Sequence, residues 1–231
     1  MDIIAGVDEA GRGPLAGPVV AAAVILPEIH GIEGLRDSKK LSPKQREILF
    51  GKIKNKASSI GIGQSSVKRI DEINIRNATF MAMERALSYL TIKPNSALID
   101  GETLPDQTIP NTGIIGGDDK VDSIKAASIV AKVYRDNLMI KYSKIFPEYG
   151  LDKHKGYGTT RHMEALKEYK ATPIHRRSFR PVRDNFPTLT WLDHKNRVGW
   201  LGEKIAALYL MDRDIIIEGL NQYFPPYGEI D

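Results

Sequence analysis

The sequence predicts an α/β domain in which helices flank a mixed sheet, followed by a small, mostly helical carboxy-terminal tail. Two apolar, β-branched runs stand near the amino terminus, at residues 2–8 and 18–26, and a glycine-rich turn joins them. Both runs are nearly continuous rather than alternating, so we expect two strands that are buried on both faces. Beyond them, segments with helical periodicity alternate with short apolar runs, which is typical of a sheet covered by helices.

The elements that follow are predicted from local signals. Ser42 and Pro43 mark a helix start, a capping side chain followed by proline at the first helical position, and this helix should reach about Lys56. The next elements are expected as a strand at 58–66, two short helical stretches of which the second covers 75–90, strands at 96–100 and 114–115, and helices at 123–146 and 160–169. In the long helix we expect an inward face made of Ile124, Ala127, Val130, Ala131, Tyr134 and Leu138.

Pro187 marks the predicted boundary between a domain at 1–185 and a tail at 186–231. Charge is spread unevenly along the chain: the segment 152–183 holds 9 Lys/Arg against 3 acidic residues, whereas the tail holds 4 against 7. A basic segment of this kind is either a solvated face or a surface that contacts nucleic acid, and charge alone does not choose between them.

Composition excludes several kinds of site. The 231-residue chain has no cysteine, so the ligands of any metal must be oxygen or imidazole. The longest apolar run, at 19–26, is too short to cross a bilayer, and the amino terminus lacks the pattern of a signal peptide. We therefore expect a cytoplasmic protein without a membrane partner.

Two adjacent carboxylates, Asp8 and Glu9, directly follow the apolar run at 3–7. Burying such a pair is costly unless a cation compensates the charge, and hard divalent cations prefer carboxylate oxygen. Behind the pair comes Gly11-Arg12-Gly13, in which the glycines permit close approach of a ligand and the arginine can hold a phosphate. Metal ligands beside a phosphate-binding turn favour metal-dependent phosphodiester chemistry.

Two further acids, Asp100 and Asp118, stand in similar positions. Asp100 ends a short apolar run, and Asp118 follows another such run and a glycine pair. Because the ends of neighbouring strands lie close together, these acids can converge with the first pair. Spacing does not choose the fourth member of the cluster, for which the alternatives are Asp119, Asp122 and Asp136.

Tyr157 stands between glycines within the stretch 154–159, among basic residues. An exposed tyrosine there can stack on a sugar or base, and the equally weighted alternative is a turn residue packed at the domain edge. The loops 37–40 and 175–177 can hold phosphates or can simply be charged surface, and they contribute the candidate substrate-binding residues Ser38, Lys39 and Arg176. His30 and His162 show no partner pattern, so we expect them at the surface.

Taken in order, seven motifs closely resemble those of the bacterial ribonuclease HII family, over about residues 2–183: GVDEAGRG, LAGPVVAAAV, DSKKLS, IDG, AASIVAKVYRD, HKGYGT and PIHRRSF. The resemblance implies a ribonuclease H-like fold with a helical extension. It implies endonucleolytic cleavage of the RNA strand of RNA–DNA hybrids, and cleavage at single ribonucleotides in duplex DNA. Mn²⁺ or Mg²⁺ would be required, and the products would carry 5′-phosphate and 3′-hydroxyl ends.

The resemblance also assigns roles to residues. The metal-binding, catalytic acids of the family fall on Asp8, Glu9, Asp100 and Asp118. The glycine-arginine-glycine sensor of the 2′-hydroxyl falls on Gly11, Arg12 and Gly13, and the ribose-stacking tyrosine falls on Tyr157. A monomer is expected by resemblance alone. The competing classes are another nuclease or resolvase of this fold, ribonuclease HIII, and a hybrid-binding module without activity. The glycine-arginine-glycine sensor and Tyr157 argue against another nuclease or resolvase. The short segment before Asp8 argues against ribonuclease HIII, and the presence of all four acids argues against an inactive binding module.

The tail resembles a different family. The segments 197–203, 206–210 and 228–231 are similar to the start of YraN-type, restriction-endonuclease-like proteins. This resemblance implies a truncated, fused segment. The alternative is an ordinary helix packed on the domain, with a core made of Trp191, Leu201, Ile205 and Leu208.

Overall fold

The computed structural model describes residues 2–105, 107–225 and 228–230. The chain divides into two compact units, one made of Met1–Arg12 with Pro18–Arg135, the other of Gly13–Gly17 with Asp136–Asp231. The predicted boundary near residue 185 lies inside the second unit, and it stays a prediction.

The first unit is built on a five-stranded mixed sheet, and the predicted fold class is confirmed. The strands are β1 (Ile4–Ala10), β2 (Val19–Ile25), β3 (Ser59–Ser65), β4 (Ser96–Asp100) and β5 (Asn111–Ile114), in the order β3-β2-β1-β4-β5. Antiparallel pairs join β1 to β2 and β2 to β3, whereas β1 to β4 and β4 to β5 are parallel. Every residue of β2 is buried, as its continuous apolar run predicts.

Helices follow in chain order as α1 (Pro43–Lys56), α2 (Val67–Ser88), α3 (Gly117–Lys120), α4 (Asp122–Ile145), α5 (Leu151–His154), α6 (Thr160–Tyr169), α7 (Arg180–Arg183), α8 (Leu189–Asp193) and α9 (Arg197–Met211), with a two-stranded sheet of β6 (Gln222–Phe224) and β7 (Gly228–Ile230) at the end. Short 3₁₀ turns cover Ser38–Lys40, Pro147–Tyr149 and His194–Asn196. No helix among the described residues combines the length and the apolar character that a membrane span requires.

Local signals predicted the helix starts well. The Ser42 side chain accepts from the backbone N–H of Gln45, which completes a capping box before Pro43. Asn74, with a φ of 65°, interrupts α2 and accounts for the two helical stretches that were expected there. The strand expected at 114–115 instead covers Asn111–Ile114 and leaves Ile115 exposed, because the threonine and glycine in it dilute the apolar signal.

The predicted inward face of α4 is partly wrong. Tyr134 is 40% exposed, whereas Arg135 and Met139 are buried. Arg135 is an inward residue because its Nε donates to the carbonyl oxygen of Pro18 at 3.0 Å, which satisfies a buried guanidinium. Residue type alone predicts that an arginine is exposed. The sequence therefore favours Tyr134 and Leu138 as inward residues, whereas the buried residues are the next ones along the helix, Arg135 and Met139.

Within the second unit, the tail packs against the segment 145–148 through an ion pair whose lysine is buried. Lys204 Nζ donates to the Ile145 carbonyl at 2.6 Å and lies 3.0 Å from Glu148 Oε1, and Trp200 Nε1 donates to the same carboxylate at 2.9 Å. Lys204 and Ala207 are the buried residues of α9, whereas Ile205, expected in the core, is 47% exposed. Lys204 rather than Ile205 lies on the inward face of α9 because of this ion pair, and residue type does not predict that. The resemblance of the tail to YraN-type proteins stays a prediction.

Lys204→Met should lower stability by about 3 kcal/mol, because it leaves the Glu148 carboxylate without its buried cation. Thermal unfolding measures this, and a fall in melting temperature of about 6 °C or more is expected. The matched control is Lys144→Met, which breaks the more exposed pair with Glu218 and should cost less than about 1 kcal/mol. Equal melting temperatures for the two variants would contradict the packing of the tail.

Candidate active site

Three carboxylates meet in the first unit. One oxygen each from Asp8, Asp100 and Asp118 lies within 4.8 Å of the other two. Asp8 lies in β1 and Asp100 ends β4, and because these strands are parallel neighbours the two acids come to the same region of the sheet. Asp118 lies in the first turn of α3, directly after β5.

Asp100 fixes the position of Asp118 through the backbone. Its Oδ1 accepts from the N–H of Gly117 at 2.7 Å and from the N–H of Asp118 at 3.3 Å. Gly116 permits the tight turn because its φ is 65°. A carboxylate at the first N–H groups of a helix is favourable, so Asp100 both joins the cluster and orients another member of it.

Burial and like charge raise the pKa values in the cluster. Burial raises the pKa of Asp8 well above its usual value, and the neighbouring Glu9 and Asp100 charges raise it further. The pKa of Asp118 is also raised, first by burial and then by the Asp100 charge. Oxygen donors that are buried together and repel one another are the donor set of a divalent cation, so the residues fit such an ion.

Cationic side chains flank this cluster. Arg12 Nη1 lies 3.7 Å from Glu9 Oε1, and Lys39 Nζ lies 3.6 Å from Asp118 Oδ2. Burial raises the pKa of Glu9, while the Arg12 charge lowers it. Glu9 is not among the three acids whose oxygens lie within 4.8 Å of one another, so it stands beside that group.

The alternatives for the fourth acid have other partners. Asp119 is exposed and lies 2.6 Å from Lys40 Nζ. Asp122 accepts from Lys125 Nζ at 2.8 Å and lies 3.3 Å from His30 Nε2, so His30 has a partner. Among the described residues, Asp136 does not belong to the group of acids whose oxygens lie within 4.8 Å of one another. The geometry of the first unit therefore favours Asp118 as the companion of Asp8 and Asp100.

Two of the predicted substrate-binding residues are buried. The Ser38 hydroxyl is 2.9 Å from that of Ser128, which in turn hydrogen-bonds Asp8. Arg176, in the second unit, is fully buried and its Nε donates to the Gly17 carbonyl at 3.0 Å. Both side chains support the surrounding turns in this structure, whereas their neighbours Lys39 and Arg177 are exposed. Substrate contact by Ser38 and Arg176 stays a prediction.

The glycine-arginine-glycine turn is tightly packed at its first residue. Gly11 has a φ of +100°, and a Cβ atom there would lie 2.0 Å from Arg135 Nε, so glycine is required. In the second unit, a Cβ on Gly13 would stand 3.6 Å from Tyr157 Cε1, which places the Tyr157 ring beside Gly13. The Tyr157 side chain is 46% exposed, so one part of it is available to a ligand.

The prediction that His162 lies at the surface is wrong. Its side chain is fully buried, and it contacts two further histidines of the second unit, His154 and His175. The sequence signal was present, since all three histidines lie in or beside the HKGYGT and PIHRRSF motifs. A buried histidine needs hydrogen-bond partners, and these come from residues that local patterns do not connect.

Comparison with known proteins identifies the family. The family model described as ribonuclease HII matches residues 5–182, more than half of the chain. The chain belongs to the ribonuclease HII family. Ribonuclease HII of Shewanella pealeana is 54% identical over 180 residues, which are 78% of this chain and 89% of that protein. Ribonuclease HII of Polaromonas sp. is 52% identical over 182 residues, 79% of this chain and 92% of that protein.

Solved structures show the same fold. Ribonuclease H2 from Pyrococcus horikoshii has a TM-score of 0.68 at 31% identity, and the match covers 78% of this chain and 95% of that one. Ribonuclease HII of Archaeoglobus fulgidus, solved in complex with PCNA, has a TM-score of 0.65 at 27% identity, covering 77% and 95%. A ribonuclease HIII solved with Mn²⁺ has a TM-score of 0.59 at 17% identity, and the match covers 89% of this chain and 70% of that one. At this identity the match shows the fold alone. As a family member, the protein is an endoribonuclease that acts on RNA–DNA hybrids.

Asp8→Asn should stabilise the protein in the presence of a chelator, because it removes a buried charge that repels Glu9 and Asp100. The asparagine Oδ1 can still accept the Glu9 N–H that Asp8 accepts at 2.6 Å. We expect about 1 kcal/mol, which is about 2–4 °C in melting temperature, together with loss of cleavage.

Asp119→Asn is the control for this experiment, since Asp119 is exposed and paired with Lys40. It should leave both the melting temperature and the cleavage rate unchanged. A lower melting temperature for Asp8→Asn in chelator would contradict the repulsion described above.

Proposed function

We propose that the protein cuts the RNA strand of RNA–DNA hybrids, and also cuts on the 5′ side of single ribonucleotides in duplex DNA, leaving 5′-phosphate and 3′-hydroxyl ends. The observation that supports this most directly is the group of Asp8, Asp100 and Asp118, of which Asp8 and Asp118 are buried and whose oxygens lie within 4.8 Å of one another. Such an activity serves the removal of ribonucleotides from DNA, and we propose that it does so in the cytoplasm as a monomer.

Asp8, Glu9, Asp100 and Asp118 would hold Mn²⁺ or Mg²⁺. When bound, two such ions supply an activated water and stabilise the charge of an in-line displacement at phosphorus. The protein residues prepare this site before substrate arrives: the Gly117 N–H fixes the Asp100 carboxylate, and the Ser128 hydroxyl lowers the pKa of Asp8 against the effect of burial. Each contact fixes the position of a carboxylate that would be a ligand.

The substrate-reading part of the proposal uses Gly11, Arg12, Gly13 and Tyr157. The minor groove displays the 2′-hydroxyl that distinguishes RNA from DNA, and small residues allow the backbone to approach it. Arg12 is half-exposed and lies 3.7 Å from Glu9, so its guanidinium is available to a phosphate beside the acids. Lys39 is more exposed and lies 3.6 Å from Asp118, which suits a second phosphate contact. The exposed part of the Tyr157 ring would stack on the neighbouring sugar.

The deciding experiment is cleavage of a labelled DNA duplex that holds one ribonucleotide, with Mn²⁺, with Mg²⁺ and with chelator. A metal-dependent cut on the 5′ side of the ribonucleotide is expected. Cutting within long hybrids alone would keep the metal chemistry and contradict the reading of single ribonucleotides. Equal cutting in chelator would contradict the metal.

Tyr157→Ala should raise KM for the single-ribonucleotide duplex about tenfold, because stacking on an aromatic ring is worth about 1–3 kcal/mol. Steady-state kinetics on this substrate measures the effect. Tyr209→Ala is the control, since Tyr209 is an exposed tyrosine of the same unit that lies in α9. An unchanged KM in Tyr157→Ala would contradict the stacking role.

A further inference from the structure

Three histidines of the second unit take no part in the chemistry above. His162 in α6 and His175 are buried, and His154 ends α5 and is partly buried. The rings of His154 and His162 are stacked with centroids 4.7 Å apart, and those of His162 and His175 lie 5.3 Å apart. Three imidazoles packed together are costly to bury unless their nitrogens are hydrogen-bonded, so their partners are informative.

A continuous line of hydrogen bonds runs from Thr172 to Tyr157. The Nδ1 of His175 lies 3.2 Å from the Thr172 backbone nitrogen and 2.9 Å from its hydroxyl. The Nε2 of His175 lies 3.1 Å from the Nε2 of His162, and the Nδ1 of His162 lies 3.0 Å from the carbonyl oxygen of Tyr157. The line therefore ends on the backbone of the proposed ribose-stacking residue.

The two ends of this line fix where the protons are. A backbone N–H can only donate, so His175 Nδ1 accepts and its proton stands on Nε2. A carbonyl oxygen can only accept, so His162 carries its proton on Nδ1 and accepts at Nε2 from His175. Every ring nitrogen in the line is then satisfied with both imidazoles neutral, and a proton added to either ring would set two donors against each other.

The Tyr157 peptide needs such support because glycines flank it. Gly156 has a φ of +85°, and glycine leaves the backbone free to adopt other conformations. Its neighbours hold it: the Gly156 N–H donates to His154 Nδ1 at 3.2 Å, and the Gly156 carbonyl accepts from Leu15 at 2.8 Å. The Tyr157 carbonyl accepts from Thr159 at 2.8 Å as well as from His162. His162 is the side chain that hydrogen-bonds this carbonyl. By fixing the Tyr157 peptide, it also fixes the direction in which the Tyr157 side chain leaves the backbone.

We propose that His162, oriented by His175, is a positioning residue that fixes the Tyr157 peptide and so sets the ring for stacking at the junction between RNA and DNA. This inference rests on the proposed stacking role of Tyr157. It assigns to the buried histidines a share in substrate specificity, since a wrongly directed ring would still leave the acids in place. The expected signature is a change in KM for the junction substrate with little change in kcat.

Two variants test the roles of the two His162 ring nitrogens separately. His162→Asn keeps a donor at the position of Nδ1, so it should preserve the bond to the Tyr157 carbonyl and leave KM within about twofold. His162→Gln keeps an acceptor at the position of Nε2 and loses that donor, so it should raise KM about fivefold to tenfold. In the double variant with Tyr157→Ala, His162→Gln should add little, because both changes act through one ring.

Tyr149→Phe is the control for a merely structural effect. The Tyr149 hydroxyl donates to the Lys170 carbonyl at 2.6 Å, and its ring contacts His162 and His175 without touching the line of hydrogen bonds. It should lower the melting temperature and leave KM unchanged. If Tyr149→Phe raised KM as much as His162→Gln, loss of packing would explain the result and overturn the inference.

The two proposals fail in distinguishable ways. A normal KM in Tyr157→Ala overturns the stacking role and this inference with it. A raised KM in Tyr157→Ala with a normal KM in His162→Gln, or full additivity in the double variant, overturns the positioning role alone. Nitrogen-15 NMR of the wild-type imidazoles gives a test that needs no variant: a proton on Nε2 of His162 would also overturn it.

The neutral state has a consequence for the dependence of stability on pH. Burial lowers the pKa of His162 to about 4 and that of His175 to about 3, and each lies below the ordinary value of 6.5. The groups that face these rings are the Tyr149 ring, His154, the backbone at Gly156 and Tyr157, and the Thr172 backbone and hydroxyl, while Arg161 and Asp152 act on His154. Below pH 6.5 the unfolded chain therefore binds protons at these two positions that the folded chain does not, so the two histidines contribute a free energy of unfolding that rises with pH between about 4 and 6.5.

Denaturant midpoints measured across this pH window check the consequence. The raised pKa values of Asp8, Glu9 and Asp118 act in the opposite sense, so the test is the difference between two proteins. The slope of the midpoint against pH should be less positive in His162→Asn than in the wild type, because the variant lacks one of the two buried imidazoles. An unchanged slope in that variant would show that His162 is not held neutral, which overturns the inferred line of hydrogen bonds.

Discussion

The repulsion among the buried carboxylates is the constraint on which the first unit depends. The Asp8 carboxylate accepts from the backbone N–H of Glu9 and the hydroxyl of Ser128, and the Asp100 carboxylate accepts from the backbone N–H groups of Gly117 and Asp118. These donors require that β1 and β4 be parallel neighbours and that α3 begin directly after β5. The strand order of the sheet, the positive φ of Gly116 and the short α3 thus all serve one charged cluster. Carboxylate oxygens gathered in this way are the ligands that a divalent cation prefers.

Much of this arrangement could be predicted from the sequence, because the signals are local. Continuous apolar runs predicted β1 and β2, and a serine-proline pair predicted the start of α1. The adjacent acids Asp8 and Glu9 were expected at the end of a strand, whereas both lie within β1, and the metal site inferred from them stays a prediction. The choice of Asp118 over its neighbours could not be made in this way. The geometry that favours Asp118 includes hydrogen bonds between Asp100 and residues 17 and 18 positions away, which spacing does not reveal.

The errors share one physical cause. Arg135, Arg176, His162 and Lys204 are polar residues whose type predicts exposure, yet each is buried. Burial of a polar group is tolerated when its hydrogen bonds are made, and here the partners are mostly backbone carbonyls far away in sequence, those of Pro18, Gly17 and Ile145 among them. Such partners exist only in the folded chain, so residue patterns cannot show them. Through these hydrogen bonds, the buried polar residues fix backbone segments whose conformation the apolar pattern does not predict.

The path of the chain between its two units has a consequence for synthesis. The chain leaves the first unit after Arg12 and returns at Pro18, and the intervening Gly13–Gly17 belongs to the second unit. Its backbone pairs with His175, and Gly17 accepts from an arginine 159 residues later. Ribosomes add about 5–20 residues per second, so this short segment waits about 8–30 s for its partners. Until then neither partner of this segment has been synthesised, and its backbone lacks the hydrogen bonds that hold it in the folded second unit.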